Sequence, residues 1–440
     1  MHVVLKDNRG TGEAIRREIE LFDPATPNPY LQNTLNHARQ NVPHYREVYR
    51  DFAEPSRCFG QLPFLMRQVL QDKPTTLLAQ NSDLVRCHTM RTSGSTSDPV
   101  TIYADNNQKN WVRSTEKHYF QKFLGVDPND EPSVVIWSSA ADVWGRKRDF
   151  RKKFSLWLTR TVLLGASRIT PAEFADAVHQ INSRRPTFIK SYASCLYELA
   201  RHIRLNRLRI HSPRFIVSTA ETLLPHMRDT VQDVFGAEVF DFYGTRETGP
   251  IAGQCRNGKL HVFSYQTHLE VLDEADAPVL PGARGRTVAT TLHNRAMPLI
   301  RYELSDIATV GKPCSCGCKL AVLDHIDGRV YDYFPARDGT LVYAGYFART
   351  LYSTPWIRDY RIVQTALDEI CLTCVPSHKP SHDEIRFVED RIRLVMGKDC
   401  RVSWDLVETI PPTAAGKRLY AVSLVNCRSA PTAGSSPALR

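Results

Sequence analysis

Thr92-Ser93-Gly94-Ser95-Thr96 sets four hydroxyl side chains around one glycine. Small residues let a backbone approach a phosphate closely, and N–H and O–H groups can then donate to its oxygens. The Gly-x-x-x-x-Gly-Lys spacing of a P-loop is missing. Taken alone, the segment reads first as a hydrophilic surface turn. Further along, Ser218-Thr219-Ala220-Glu221 is followed by Asp241-Phe242-Tyr243-Gly244-Thr245-Arg246-Glu247. There, Tyr243 offers a ring to stack on a base and Thr245 a hydroxyl for a phosphate. Glu247 offers a hard oxygen ligand for Mg²⁺. Asp306, in Leu299-Ile300-Arg301-Tyr302-Glu303-Leu304-Ser305-Asp306, can accept both hydroxyls of a ribose, although taken alone it reads first as a structural cap or an Asp–Arg pair. Lys417, after Gly416, is a mobile point charge that can reach a phosphate, or simply an exposed loop lysine.

A second chemistry lies in the cysteines. Cys255, His261, Cys314 and Cys316 offer three thiolates and an imidazole, the donor set of a tetrahedral zinc site. Cys318 is an alternative fourth ligand. Four protein ligands leave no open position, so the expected ion is structural. Reduced loop thiols are the alternative. Cys371 and Cys374 sit in an apolar strand pattern and read as core.

These groups need elements to position them. Residues 14–21, 30–49 and 63–70 show helical spacing, and 107–123, 171–182, 194–205 and 225–235 continue it. Between them, 100–103, 134–137, 188–189, 214–218 and 239–243 read as short strands. Such alternation predicts an α/β fold with a parallel sheet. After Gly253 the texture becomes β-rich, with strands expected at 261–263, 268–272, 285–291 and 299–302. In this reading Asp306 follows the last of these strands. Residues 324–332 read as a linker. Strand patterns at 341–343, 362–364, 370–375, 402–406 and 419–424, with a helix at 381–396, predict a small α+β tail. The expected organisation is a large N-terminal domain, 1–326, with a zinc-stapled β subdomain at about 254–326. A small mobile C-terminal domain, 327–426, and a flexible tail, 427–440, complete it.

Composition narrows the classes. The chain has 440 residues, 42% hydrophobic and 24% charged, which excludes general disorder. No apolar run approaches the length of a membrane span, and no apolar core follows the start. A cytoplasmic location is expected, with no membrane partner. The formal charge of +10 suits a soluble basic protein or a phosphate- or carboxylate-rich partner. Arg146-Lys147-Arg148 and Arg151-Lys152-Lys153 form a solvated face, or meet coenzyme A or an acidic carrier protein. A zinc-stapled protein binding nucleic acid would explain the charge and the cysteines. It leaves the hydroxyl loop, Glu247, Asp306 and Lys417 without roles, so no nucleic acid is expected.

In this order, Thr92 to Thr96, Tyr243 to Glu247, Leu299 to Tyr302 with Asp306, Gly328-Arg329 and Gly416-Lys417 resemble the motif series of adenylate-forming enzymes. Ser191-Tyr192-Ala193-Ser194, Ala296 to Tyr302 and Cys314-Ser315-Cys316-Gly317 resemble the phenylacetate–coenzyme A ligase branch, including its capsule-biosynthesis relatives. The resemblance implies a large domain and a small domain that rotates about a hinge near 328–332. It implies ATP- and Mg²⁺-dependent adenylation of a small carboxylic acid, expected to be aromatic, with release of pyrophosphate. Acyl transfer to coenzyme A would follow, with a carrier-protein thiol or an amine as the alternative acceptor. By the same resemblance Thr92, Ser93, Gly94, Ser95 and Thr96 would hold phosphates, and Glu221, Tyr243 and Gly244 would line the nucleotide. Thr245 and Glu247 would serve phosphate and Mg²⁺, Asp306 the ribose, Arg329 ribose or phosphate, and Lys417 the α-phosphate. Trp137 and Ala220 would shape the acid pocket. A homodimer is possible by analogy. Ser97-Asp98-Pro99 replaces the family's Gly-Lys-Pro. Val135 to Ala141 replaces a Gly-rich pocket strand, which points away from phenylacetate itself. After Arg329 the Gly-rich segment before the coenzyme A site is also missing.

Overall fold

Adjacent residues in the central strands sort bulky side chains to opposite faces, which a period of two requires. Ile189, Ile216 and Val239 face one way, whereas Phe188, Phe215, Val217 and Phe240 face the other. The computed structural model describes residues 2–52, 54–91, 100–137, 160–165, 171–329, 333–338, 341–343, 347, 350–351, 354–411 and 420–425. It divides into two compact units, Met1–Asp327 and Gly328–Arg440.

The helices of the first unit are α1 (His2–Leu21), α2 (Pro29–Asn41), α3 (Pro43–Val48), α4 (Arg67–Asp72), α5 (Asn106–Tyr119), α6 (Pro171–Arg184), α7 (Ala193–Leu205) and α8 (Pro225–Phe235). Its strands are β1 (His88–Arg91), β2 (Thr101–Ala104), β3 (Ser133–Trp137), β4 (Thr161–Gly165), β5 (Phe188–Tyr192), β6 (Phe215–Thr219), β7 (Glu238–Thr245), β8 (Gly249–Gln254), β9 (Leu260–Val262), β10 (Thr267–Leu272), β11 (Arg284–Thr291) and β12 (Tyr302–Val310). Strand β13 (Val322–Arg329) runs across the boundary between the units. β1 and β2 pair by themselves. The rest form one sheet of order β10-β11-β12-β13-β9-β8-β7-β6-β5-β3-β4. From β4 to β7 neighbours are parallel, and β7 pairs antiparallel with β8.

Helices α6, α7 and α8 cover the aliphatic face through Ile181, Leu196, Leu199, Val231 and Phe235. Helices α1 and α5 cover the aromatic face through Ile15, Ile19, Trp111 and Tyr119. The antiparallel half curls on itself. Tyr243, Ala252, Val262, Val271, Ala308 and Leu323, from six different strands, pack into a single cluster. A fourth cluster joins α2 and α3 to the segment before β12, through Leu35, Tyr45, Tyr49, Leu299 and Ile300. There Tyr45 donates to Pro298 O at 3.0 Å and accepts from Ile300 N at 3.0 Å.

Four local expectations are corrected. The helix expected over 30–49 breaks at Val42, which is extended (φ −108°, ψ 117°) because Pro43 follows it. The strand expected at 299–302 is irregular until Tyr302, because Arg301 adopts a left-handed φ of 50°. Asp306 lies inside β12 rather than after a strand. It sits in a bulge where Glu303 faces Val288, Ile307 faces Arg286, and Ser305 has φ 62°. The linker expected from 324 is strand β13 as far as Arg329. His325 and Asp327 share a face there, and Thr309 of β12 donates to Asp327 Oδ2 at 2.8 Å.

In the second unit, β14 (Tyr333–Pro335) pairs with β15 (Leu341–Tyr343). The strands β16 (Ile357–Ala366), β17 (Glu369–Pro376), β18 (Arg401–Leu406) and β19 (Ala421–Ser423) form a sheet of order β18-β17-β16-β19. Helix α9 (His382–Met396) opens with a Ser381/Glu384 capping box and buries Val388, Ile392 and Met396. Ser423 Oγ donates to Gln364 Oε1 at 2.7 Å, and Gln364 Nε2 donates to Pro335 O at 2.8 Å. Among the described residues, no helix is long and apolar enough to cross a membrane.

Arg301 is 2% exposed and pairs with Glu270 through Nε at 3.1 Å and Nη2 at 3.0 Å. Its Nη1 donates to Gly60 O at 2.8 Å and to Leu62 O, and its guanidinium lies 4.2 Å from the centre of the Phe64 ring. Arg301→Met is expected to lower unfolding free energy by about 3–5 kcal/mol, since Glu270 stays behind without its partner. In urea denaturation, adding Glu270→Leu should restore much of that loss. No recovery would mean that Arg301 acts through its carbonyl contacts alone.

Candidate functional site

Strand β7 is the last of the parallel strands, and β8 pairs with it antiparallel. Open α/β sheets bind ligands outside the C-terminal ends of their parallel strands. Strand β7 ends in Tyr243-Gly244-Thr245. The Tyr243 hydroxyl donates to Asp306 Oδ2 at 2.7 Å. The two residues are 63 apart in sequence, and β13, β9 and β8 lie between their strands. In a flat sheet four strand spacings would separate them by about 19 Å. The curl of the antiparallel half brings them together. Asp306 is 6% exposed, and its backbone carbonyl accepts from Thr287 Oγ1 at 3.0 Å across the bulge.

The turn after β7 is held by its own hydroxyls. Thr245 and Thr248 place their Oγ1 atoms 3.0 Å apart, and Thr248 N donates to Thr245 Oγ1 at 3.2 Å. Gly244 is needed for backbone approach, since a Cβ there would stand 2.6 Å from Gly249 O. Within this turn Glu247, 12% exposed, meets Arg67 of α4 at 3.3 Å. Arg67 carried no sequence signal. It is one of 57 basic residues, and its partner lies 180 positions away.

At the end of β6, Ala220 is half-buried and left-handed at φ 66°. An alanine there is strained, and strain of this kind gathers at functional sites. Next to it, Glu221 Oε2 accepts from Ser194 N at 2.9 Å. Tyr192 gives α7 no side-chain cap, so Glu221 supplies one from the loop after β6. The sequence suggested a nucleotide contact for Glu221, and the structure gives its carboxylate a helix end.

The cysteine cluster assembles on the other side of the curl. The ligand atoms of Cys255, His261, Cys314 and Cys316 all lie within 4.8 Å of one another. Cys255 Sγ and Cys314 Sγ are 3.7 Å apart, and Cys316 Sγ is 3.2 Å from His261 Nε2. Cys318 is not in the group. Burial lowers the pKa of His261, which keeps its imidazole in the neutral, ligating form. Burial pushes the Cys255 thiol up to about 11, a cost that a divalent cation would reverse. Soft donors at these separations fit zinc.

Other expected residues lie outside the described ones. They are the loop Thr92, Ser93, Gly94, Ser95 and Thr96, the basic run 146–153, the segment 330–332, and Lys417. Trp137 ends β3 and Arg329 ends β13, and the side chains of both are likewise outside the description.

Residues 334–423 match the CapK C-terminal domain family. The chain is 22% identical to protein CapK of Staphylococcus aureus over 413 residues, covering 90% of this chain and 88% of that protein. It is 26% identical to a phenylacetate–coenzyme A ligase of Pseudomonas putida over 304 residues, covering 63% of this chain and 64% of that enzyme. Among solved structures it is similar to a 2-hydroxyisobutyryl-CoA ligase in complex with R3-HIB-AMP. The TM-score is 0.69 at 18% identity, over 92% of this chain and 94% of that one. The homologues of this chain are thus CapK and phenylacetate–coenzyme A ligases, and its fold is that of adenylate-forming enzymes.

Proposed function

We propose that this chain, a homologue of CapK and of phenylacetate–coenzyme A ligases, is an AMP-forming acid–thiol ligase. The observation that carries the reading is the Tyr243–Asp306 contact near the C-terminal end of β7. It brings together an aromatic ring suited to a base and a buried carboxylate suited to a ribose. Asp306 accepts the ribose hydroxyls of ATP, and the ring of Tyr243 lies along the base. Its hydroxyl bond to Asp306 fixes the carboxylate before the nucleotide arrives. Such preorganisation avoids reorientation during the reaction.

In the first half-reaction a carboxylate oxygen of the acid attacks the α-phosphorus. The bond to the pyrophosphate oxygen breaks, giving an acyl-adenylate and pyrophosphate. Thr245 and the loop Thr92 to Thr96 orient the phosphates. Glu247 would hold Mg²⁺, which when bound would neutralise charge on the triphosphate. Lys417 neutralises charge at the α-phosphate, and Arg329 steadies ribose or phosphate. In the second half-reaction a thiol attacks the acyl carbon and AMP leaves with the bonding pair. Coenzyme A is the proposed acceptor, because the phenylacetate ligases to which the chain is similar carry it in their name. Trp137 and strained Ala220 border the acid pocket, and an aromatic acid is the proposed substrate class. Cys255, His261, Cys314 and Cys316 would hold a structural zinc, which would tie the end of β8 and strand β9 to the segment before β13.

Two outcomes are expected. ATP–pyrophosphate exchange should rise with one or a few members of a panel of aromatic and aliphatic acids. Lys417→Ala should lower it by roughly 100-fold or more, the scale on which a single electrostatic group contributes to a transition state. Exchange that ignores both the acids and Lys417→Ala would sink the adenylation reading. Elemental analysis should find on the order of one zinc per chain, all four positions being filled by protein. Cys314→Ser should lose the zinc and lower the thermal midpoint. A metal-free chain of unchanged stability would refute the staple.

A further inference from the structure

Glu247 is bound already, and the group that binds it was not expected to be near a phosphate site. Among the described residues, Arg67 is the basic side chain within ion-pair distance of this carboxylate, at 3.3 Å. The Glu247 side chain is 12% exposed and that of Arg67 is 29% exposed. A carboxylate so far removed from water needs a compensating cation. In the nucleotide-free chain Arg67 is that cation.

We propose that Arg67 is a phosphate-binding residue of the nucleotide site, parked on Glu247 until a divalent cation takes that carboxylate. The inference rests on the reading of Glu247 as the Mg²⁺ ligand. A guanidinium and a divalent cation cannot both crowd one carboxylate without repelling each other. When the cation arrives it brings a strongly negative triphosphate with it, two residues along the turn from Thr245. The displaced guanidinium has a planar fork that matches phosphate oxygens two at a time. It therefore moves from one anion to the other.

The backbone beneath Arg67 is fixed, so the side chain alone has to move. Leu65 N donates to Arg301 O at 2.9 Å, and Glu303 N donates to Leu65 O at 3.1 Å. Leu65 and Leu70, on either side of Arg67, are 2% and 1% exposed. Glu303 and Asp306 belong to the same strand, so one strap sets Arg67 relative to the proposed ribose carboxylate as well. An ion pair that merely anchored α4 would add little to this hydrophobic anchorage.

The test compares wild type with Arg67→Ala and Arg67→Lys, all checked for an unchanged unfolding midpoint. Calorimetric affinity is measured for MgATP and for AMP, and Mn²⁺ alone is titrated by electron paramagnetic resonance. For Arg67→Ala we expect at least tenfold weaker MgATP binding, AMP affinity within twofold of wild type, and tighter Mn²⁺ binding because the competitor is gone. Arg67→Lys keeps the charge but not the fork, and should fall between. MgATP affinity within twofold of wild type in Arg67→Ala would overturn the proposal. So would an equal loss for AMP, which marks a merely structural role. Should Arg67→Ala fail to fold, Arg67→Lys with wild-type affinities for MgATP and Mn²⁺ would overturn it equally. Wild type that binds no MgATP at all would instead remove the reading of the site, and this inference with it.

Discussion

Arg301 holds a guanidinium almost wholly out of water, so its N–H groups must be answered from within the protein. Glu270 of β10 takes two of them, and the carbonyls of Gly60 and Leu62 take others. Phe64 lies across its face. Three pieces of chain distant in sequence are thereby held in one geometry: the segment around residues 60–65, strand β10, and the entry to β12. The left-handed φ of Arg301 turns the chain from its irregular approach into that strand. Removing the guanidinium would leave a largely buried carboxylate and would loosen the strap that carries Arg67.

Function depends on what that clamp positions. Strand β12 leaves Arg301 and, after the bulge at Ser305, aims Asp306 at Tyr243. The parallel half of the sheet contributes β7 with Tyr243, Thr245 and the turn to Glu247. The antiparallel half contributes Asp306 and, on the intervening β9 and just after β8, His261 and Cys255. The curl that packs Tyr243 against Ala252, Val271 and Ala308 is therefore the same feature that assembles the proposed nucleotide site. Among the described non-glycine residues with positive φ, Ser305 directly precedes Asp306 and Ala220 follows β6.

Much of this was legible in the residues. The alternation of short apolar segments with helical spacing gave the parallel half, because Ile189, Ile216 and Val239 each lie beside a residue facing the other way. The four zinc-type donors were visible as types, although their meeting depends on strands paired far apart in sequence. Pro43 was the available signal for the helix break at Val42. Three features were illegible for a physical reason. A strand built of Asp324, His325 and Asp327 looks like a linker until a neighbouring strand offers Thr309 as a partner. The placement of Asp306 inside β12 comes from a bulge that only the register with β11 reveals. The Arg67–Glu247 pair joins segments brought close by tertiary packing, which no local pattern announces.

The central claim is a nucleotide site built on Asp306 and Tyr243. Its most direct test is calorimetric titration of MgATP into wild type and Asp306→Ala, with the fold of the variant verified. Wild type is expected to bind in the micromolar to millimolar range, about 4–8 kcal/mol. Asp306→Ala is expected to lose at least tenfold in affinity. A folded, zinc-replete wild type that binds no MgATP, or an Asp306→Ala variant that binds it as well as wild type, would contradict that claim.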